Sequence, residues 1–351
     1  MASFPTISWI LDSGGAGRGA WQGGVIHQLM HWMRLHETYP LISMGASAGA
    51  YAAADVATET EVTVMRGWTR WGSRLENPAC AIPREHRSFW GLGEFRLHLR
   101  ESIRYVMEPK TVETVFNNRP GKKLLLFTTR IKRKDGRKIS ARDLFKYFLK
   151  STTRKLPVPV KYLPRDFEED PVIFAAPLPS HLHSEFVRPL TSWNYHRVIE
   201  ASCLVPVAMG WPLQPDELLP AADHDPWAVQ DKTAVFLDGG FSLKMPMARF
   251  EEDARFHEVS RWAKADKTMI FCCDPKGQLW ETSSRLRLLN DNPAIREAIC
   301  NKELLVIHPD HVVEAGFLCH DNHTVMRTFQ RGQAQGDHLL KSDLFQRFLG
   351  L

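Results

Sequence analysis

Three short stretches of this 351-residue chain run from apolar residues into glycines: "DSGGAGRGAW" (Asp12–Trp21), "GASAG" (Gly45–Gly49) and "FLDGGF" (Phe236–Phe241). The second is Gly-x-Ser-x-Gly. A serine on a sharp strand-to-helix turn stands clear of the sheet, and its neighbours must be tiny for the backbones to approach. Such a serine also faces the positive end of the helix that follows. It is a weak nucleophile until a base takes its proton, and acyl transfer needs donors for the developing oxyanion. Asp238, followed by Gly239 and Gly240, is placed to be that base. The loop of Gly14, Gly15, Ala16, Gly17, Arg18 and Gly19 is placed to supply the donors, because glycines between a strand and a helix leave N–H groups accessible. Each stretch alone also fits a tight turn or a small-residue packing helix. Together they supply nucleophile (Ser47), base (Asp238) and oxyanion site, with Gly45, Gly49, Gly239 and Gly240 as spacers.

Other chemistries are less well served. Gly15, Gly17 and Ala20 approximate a dinucleotide fingerprint, but no acid sits at a strand end about twenty residues on. The Lys-Ser/Thr of a phosphate-binding P-loop is missing. The six cysteines form no C-x-x-C pair, so no zinc ribbon or thioredoxin-like site is expected. His27 and His31 stand at helical spacing without the glutamate of a zinc helix, and read as packing or surface residues. His181, His183, His320 and His323 read as loop histidines. No cofactor and no metal are expected.

The elements that must position these residues alternate. "TISWIL", "LISM", "KKLLLFTTRIKR", "TAVFLD", "TMIFCC" and "ELLVIH" read as strands, and "DG" at Asp135-Gly136 reads as a hairpin turn. Apolar residues at Val25, Ile26, Leu29, Met30 and Met33 mark a helix from about Ala20. "SWNYHRVIEASCL" and the tail from Thr324 to Leu349 are helical in pattern. Alternation of this kind predicts an α/β fold with a largely parallel sheet, in which functional residues gather at the carboxyl ends of strands. A composition of 44% hydrophobic and 24% charged residues suffices for one core, so a single domain over 1–351 is expected. Residues 138–190 read as a basic insertion, a lid or membrane contact, and 251–351 as strands and helices completing the domain. From Arg119 to Arg165 sixteen Lys/Arg face only Asp135 and Asp143, which would attract anionic lipid; no nucleic-acid motif accompanies them. No signal peptide and no membrane span are evident, which predicts a cytoplasmic protein, at most peripheral to membranes.

The ordered set "SGGAGRGAW", "GASAG", "ASCLVPVAMGWP" and "DGGFSLKMP" resembles the patatin-like phospholipases, over about Thr6 to Pro246. The resemblance implies a three-layer α/β sandwich with insertions and a lipid acyl hydrolase of the phospholipase A, lysophospholipase or esterase type, acting on phospholipid or other acyl-ester lipids in lipid metabolism. It implies Ser47 as nucleophile, Asp238 as its base in a Ser–Asp dyad, the Gly14–Gly19 loop as oxyanion hole, and Ser202 and Pro206 in a segment that buttresses the site. Two positions depart from the family pattern: Ala16 and Gly17 exchange order, and Lys244 stands where the family tends to carry Asn. Two other readings are a Ser47-Asp238-His308 triad of the α/β-hydrolase type, with His311 as a second candidate, and a non-catalytic phosphate- or nucleotide-binding module.

Overall fold

The computed structural model describes residues 5–12, 16–70, 93–117, 121–153, 167–206, 209–219, 227–228, 231–281, 288–316, 319 and 321–351. β1 (Ile7–Leu11), β2 (Ile42–Ala46), β3 (Lys123–Arg133), β4 (Phe167–Ala176), β5 (Val187–Pro189), β7 (Lys267–Phe271) and β8 (Leu304–Ile307) lie in the order β5-β4-β3-β2-β1-β7-β8, and β6 (Val235–Asp238) pairs with β3. Among these eight strands every pairing is parallel except β3 with β4 and β3 with β6. The α/β expectation with a mainly parallel central sheet is borne out.

The strands explain the layers. β1, "ISWIL", is buried at every residue, as a parallel strand covered on both faces must be. Ile7, Trp9 and Leu11 join one core cluster and Ile10 the other. On the first face lie α1 (Ala16–Leu35), α2 (Ala48–Val56), α7 (Tyr195–Cys203) and α11 (Asn322–Leu340), through residues such as Val25, Ala53, Val198 and Phe329. On the second lie α8 (Pro246–Glu252), α9 (His257–Trp262) and α10 (Pro293–Cys300), through Phe250, Val259 and Ile295. α3 (Glu61–Arg70), α4 (Gly93–Val106), α5 (Pro109–Asn117), α6 (Ala141–Thr153) and α12 (Asp343–Leu349) extend the first layer. No helix among the described residues is long and apolar enough to cross a membrane.

Two expectations need correction. α1 starts at Ala16 rather than Ala20, because the "AGRG" turn is held by packing: a Cβ on Gly17 would lie 2.1 Å from Gly316 O, and one on Gly19 2.9 Å from Trp68. The Asp135-Gly136 turn closes no hairpin. It leads into α6, and the antiparallel partner of β3 is β4, paired from Leu124↔Ala176 to Arg133↔Phe167. The 138–190 segment therefore carries sheet strands, and part of the basic run is paired. Lys132 Nζ lies 3.2 Å from Glu168, Arg133 lies 2.6 Å from Asp135, and fully buried Arg130 meets Asp231 at 2.8 Å and Glu185 at 2.7 Å.

One buried acid has no counterpart. Asp55 in α2 is fully buried, and among the described residues neither carboxyl oxygen has a hydrogen-bond partner. Burial pushes its carboxyl well above 3.8, so the folded state keeps a proton that the unfolded chain releases. Stability from this group is therefore lost as pH rises above about 3.8. Urea titrations from pH 4 to 8 should show a steeper decline for the wild type than for Asp55→Asn, with the two converging at the acid end.

Candidate active site

The register of β3 brings the serine and the aspartate together. Ala46, the last residue of β2, pairs with Phe127; Asp238, the last residue of β6, pairs with Thr128, the next residue along. β4 occupies the other edge of β3 from Leu124 to Arg133, so β2 and β6 share one edge and approach head-on. Ser47 follows β2 directly. Its Oγ donates a 2.6 Å hydrogen bond to Asp238 Oδ2, across 191 residues of sequence.

The serine is held from several sides. Its φ of 56° and ψ of −130° lie outside the ordinary regions for a side-chain-bearing residue, a strain of about 1–3 kcal/mol that surrounding contacts must hold. The N–H of Ser47 donates to Ser202 Oγ at 3.0 Å, and Ser202 Oγ donates to Phe127 O at 2.5 Å. Cys203 Sγ donates to Ser47 O at 2.9 Å. Burial, and then nearby Asp238, push the Cys203 thiol well above its ordinary value, so it stays protonated and able to donate. Thus the end of α7 clamps both backbone polar groups of the serine. Close approach explains the motif glycines. A Cβ on Gly49 would lie 1.9 Å from Leu11 O, and one on Gly239 2.0 Å from Phe127 O; Gly45 faces the Gly49 carbonyl in the same way, at 2.3 Å.

The aspartate is oriented as tightly. Asp238 Oδ1 accepts from Gly240 N at 2.7 Å, which leaves Oδ2 for the serine. Asp238 N donates to Leu204 O at 3.0 Å, and Thr129 Oγ1 donates to Asp238 O at 2.8 Å. Ser47 and Asp238 are 7% and 5% exposed, so the pair is nearly shut off from bulk water.

The loop expected to hold an oxyanion is only partly described: Gly14 and Gly15 lie outside the described residues. Ala16, Gly17 and Arg18 form the first turn of α1, whose N–H groups have no acceptor within the helix. Gly19, the fourth residue of α1, also packs closely: a Cβ there would lie 2.9 Å from the Trp68 ring and 3.2 Å from Ala48 Cβ. α2 adds a second set of free N–H groups beside Ser47, at Ala48 and Gly49.

Lys244, the departure from the family pattern, has a specific partner. Its Nζ lies 3.2 Å from Asp12 Oδ1 at the end of β1, with side chains 14% and 2% exposed. Asp12 Oδ2 also accepts from Cys273 N at 3.4 Å. The ion pair ties the entry to the glycine loop to the turn that follows Gly240. Neither this pair nor Cys203 and Thr129 was visible as a site element in the sequence. The available signal was two charges flanked by apolar residues, at positions where an unpaired charge is rarely buried.

The remaining histidine candidates sit elsewhere. His308 Nδ1 lies 3.2 Å from Pro309 O, and its ring packs under Gly277. His311 lines a cleft with Trp21 and Gln335. Neither is hydrogen-bonded to Ser47 or Asp238. His31 pairs with Glu61 at 3.1 Å and His27 contacts Gln333 at 3.2 Å, which are packing and surface roles. No group of three metal-ligating side chains occurs among the described residues. No protein-family model matches the chain, and no curated protein matches it.

Proposed function

We propose that the chain is a serine acyl hydrolase of the patatin-like type, with Ser47 as nucleophile and Asp238 as base. The supporting observation is the 2.6 Å Ser47–Asp238 hydrogen bond at a positive-φ strand-to-helix turn. As Ser47 Oγ bonds to the ester carbonyl carbon, its proton passes to Asp238 Oδ2 and the carbonyl π electrons move to oxygen. The N–H groups at the starts of α1 and α2 are the available oxyanion donors, each worth roughly 10²–10³ in rate. Collapse expels the alcohol, which takes the proton back from Asp238. Water, deprotonated by the same carboxylate, then releases the acid and restores Ser47. The substrate class carried by the resemblance is a phospholipid or other acyl-ester lipid, with contact to an anionic membrane through residues 119–165 as part of the proposal.

A fluorophosphonate probe tests the chemistry directly, alongside hydrolysis of phospholipid, lysophospholipid and triglyceride. Wild type should be labelled and should cleave at least one lipid class, while Ser47→Ala should do neither. Absence of labelling in the wild type, or labelling that survives Ser47→Ala, would exclude the proposal.

A further inference from the structure

The turn that carries Asp238 runs well past its two glycines. Leu243 N donates to Gly239 O at 2.9 Å, which closes the turn and delivers the chain to Lys244. The near end of the turn is fixed to β3: Thr129 Oγ1 donates to Asp238 O at 2.8 Å, and Ser242 N donates to Thr129 Oγ1 at 3.2 Å. The far end is held elsewhere. Lys244 N and Met245 N both donate to Glu281 O, at 3.1 and 3.0 Å, and Lys244 Nζ lies 3.2 Å from Asp12 Oδ1.

Asp12 stands where other parts of the site meet. Its N–H donates to Phe271 O of β7 at 3.1 Å, and its Oδ2 accepts from Cys273 N at 3.4 Å. Its carbonyl oxygen borders the first turn of α2: a Cβ on Gly49 would lie 3.0 Å from it. The chain after it runs on to α1, which starts at Ala16. The first turns of α1 and α2 carry the N–H groups available to an oxyanion. The ion pair thus joins the turn that bears the base to the strand end beside which both sets of donors begin. Such a pair is a poor device for stability alone, since well-packed apolar residues often do as well in its place. What it adds is a directional contact of set length between two largely buried side chains. Acyl transfer needs that, because a misplacement of about 1 Å can cost about 10² in rate.

We propose that Lys244 is a positioning residue, which through Asp12 sets the base turn of Asp238 against the oxyanion donors at the starts of α1 and α2. The inference rests on the acyl-hydrolase reading and adds to it a residue that acts on the reaction through its ion-pair partner. An interaction that serves only the reacting geometry lowers kcat and kcat/KM equally and leaves KM where it was.

The test is hydrolysis of a soluble p-nitrophenyl ester by the wild type, by Asp12→Asn combined with Lys244→Met, and by Lys244→Gln. The double variant leaves no buried charge unpaired, and Lys244→Gln keeps a hydrogen-bond donor toward Asp12 as a second route to a folded protein. Turnover is counted per Ser47 titrated to its end point with a fluorophosphonate, so unfolded molecules do not enter. The double variant should lose roughly tenfold in kcat and Lys244→Gln severalfold, each with KM unchanged. A pair that only holds the fold together predicts the wild-type kcat at every titrated site of both variants. That result, or a loss carried by KM, would overturn the proposal. The two readings fail separately: a wild type that the fluorophosphonate does not label defeats the acyl-hydrolase reading, whereas labelling with equal kcat in all three proteins defeats the positioning role alone.

Discussion

Asp238→Asn is expected to slow acylation of Ser47 by roughly 10⁴-fold, the scale seen when a buried carboxylate partner is lost from a serine nucleophile's hydrogen-bonded unit. The substitution is nearly isosteric, and Gly240 N can still donate to the amide oxygen in place of Oδ1. What changes is the group facing Ser47 Oγ. It becomes an NH₂ donor where a hydrogen-bond acceptor stood at 2.6 Å, so on the proposed chemistry the serine loses its base with little change in packing. The readout is kcat/KM for a p-nitrophenyl ester, measured with the fluorophosphonate labelling rate and the unfolding midpoint of both proteins. A variant that folds like the wild type and keeps its rate would show that the serine is activated by some other group.

Lys244→Met is expected to destabilise the fold by about 3–5 kcal/mol, because it leaves the Asp12 carboxylate buried and unpaired. Asp12→Asn combined with Lys244→Met should recover most of that loss, since the cost lies in the orphaned charge more than in the missing pair. Burial opposes the ammonium, yet Asp12, with smaller help from Cys272 and Cys273, raises it above its ordinary 10.5. A group raised on folding contributes stability that is present below its unfolded value and is lost as pH rises through its folded value. The wild type should thus hold this increment up to about pH 10.5 and lose it beyond, and the double variant should lack that alkaline decline. Urea unfolding of the three proteins from pH 7 to 11 checks the energies and the sign together. A single variant as stable as the wild type would mean that the pair contributes nothing.

The sequence disclosed the strands that are continuous apolar runs and hid those that are not. β1, β2, β7 and β8 carry few charges, and their burial on both faces is what makes a parallel strand easy to read. β4, "FEEDPVIFAA", looks like a polar loop because three acids and a proline open it. Those acids face β3, where Lys132 pairs with Glu168 and Arg130 with Asp170 in the ladder itself. A charge on a strand looks solvated until its cross-strand partner is known. The direction of β6 was equally hidden, since an apolar run reads the same whichever way its neighbour points. Ser47 and Asp238 were legible because each ends an apolar run in small residues. Cys203 and the Asp12–Lys244 pair were not, because their meaning lies wholly in which distant segment they touch.

On the proposed chemistry, the head-on meeting of β2 and β6 on β3 also sets when the protein becomes reactive. The elbow around Ser47 needs Ser202 and Cys203 of α7 to hold its backbone, and its proposed base comes from 191 residues away, only after Thr128 has found its place opposite Asp238. On the proposed chemistry a half-made or half-folded chain carries a serine with no base to activate it. Closure of loops this long is among the slow steps of folding, because its entropy must be lost before the contacts reward it. Reactivity at Ser47 would then be a signal of the finished sheet, and the chain would be silent toward esters until β6 has docked on β3 and this contact across 191 residues has been made.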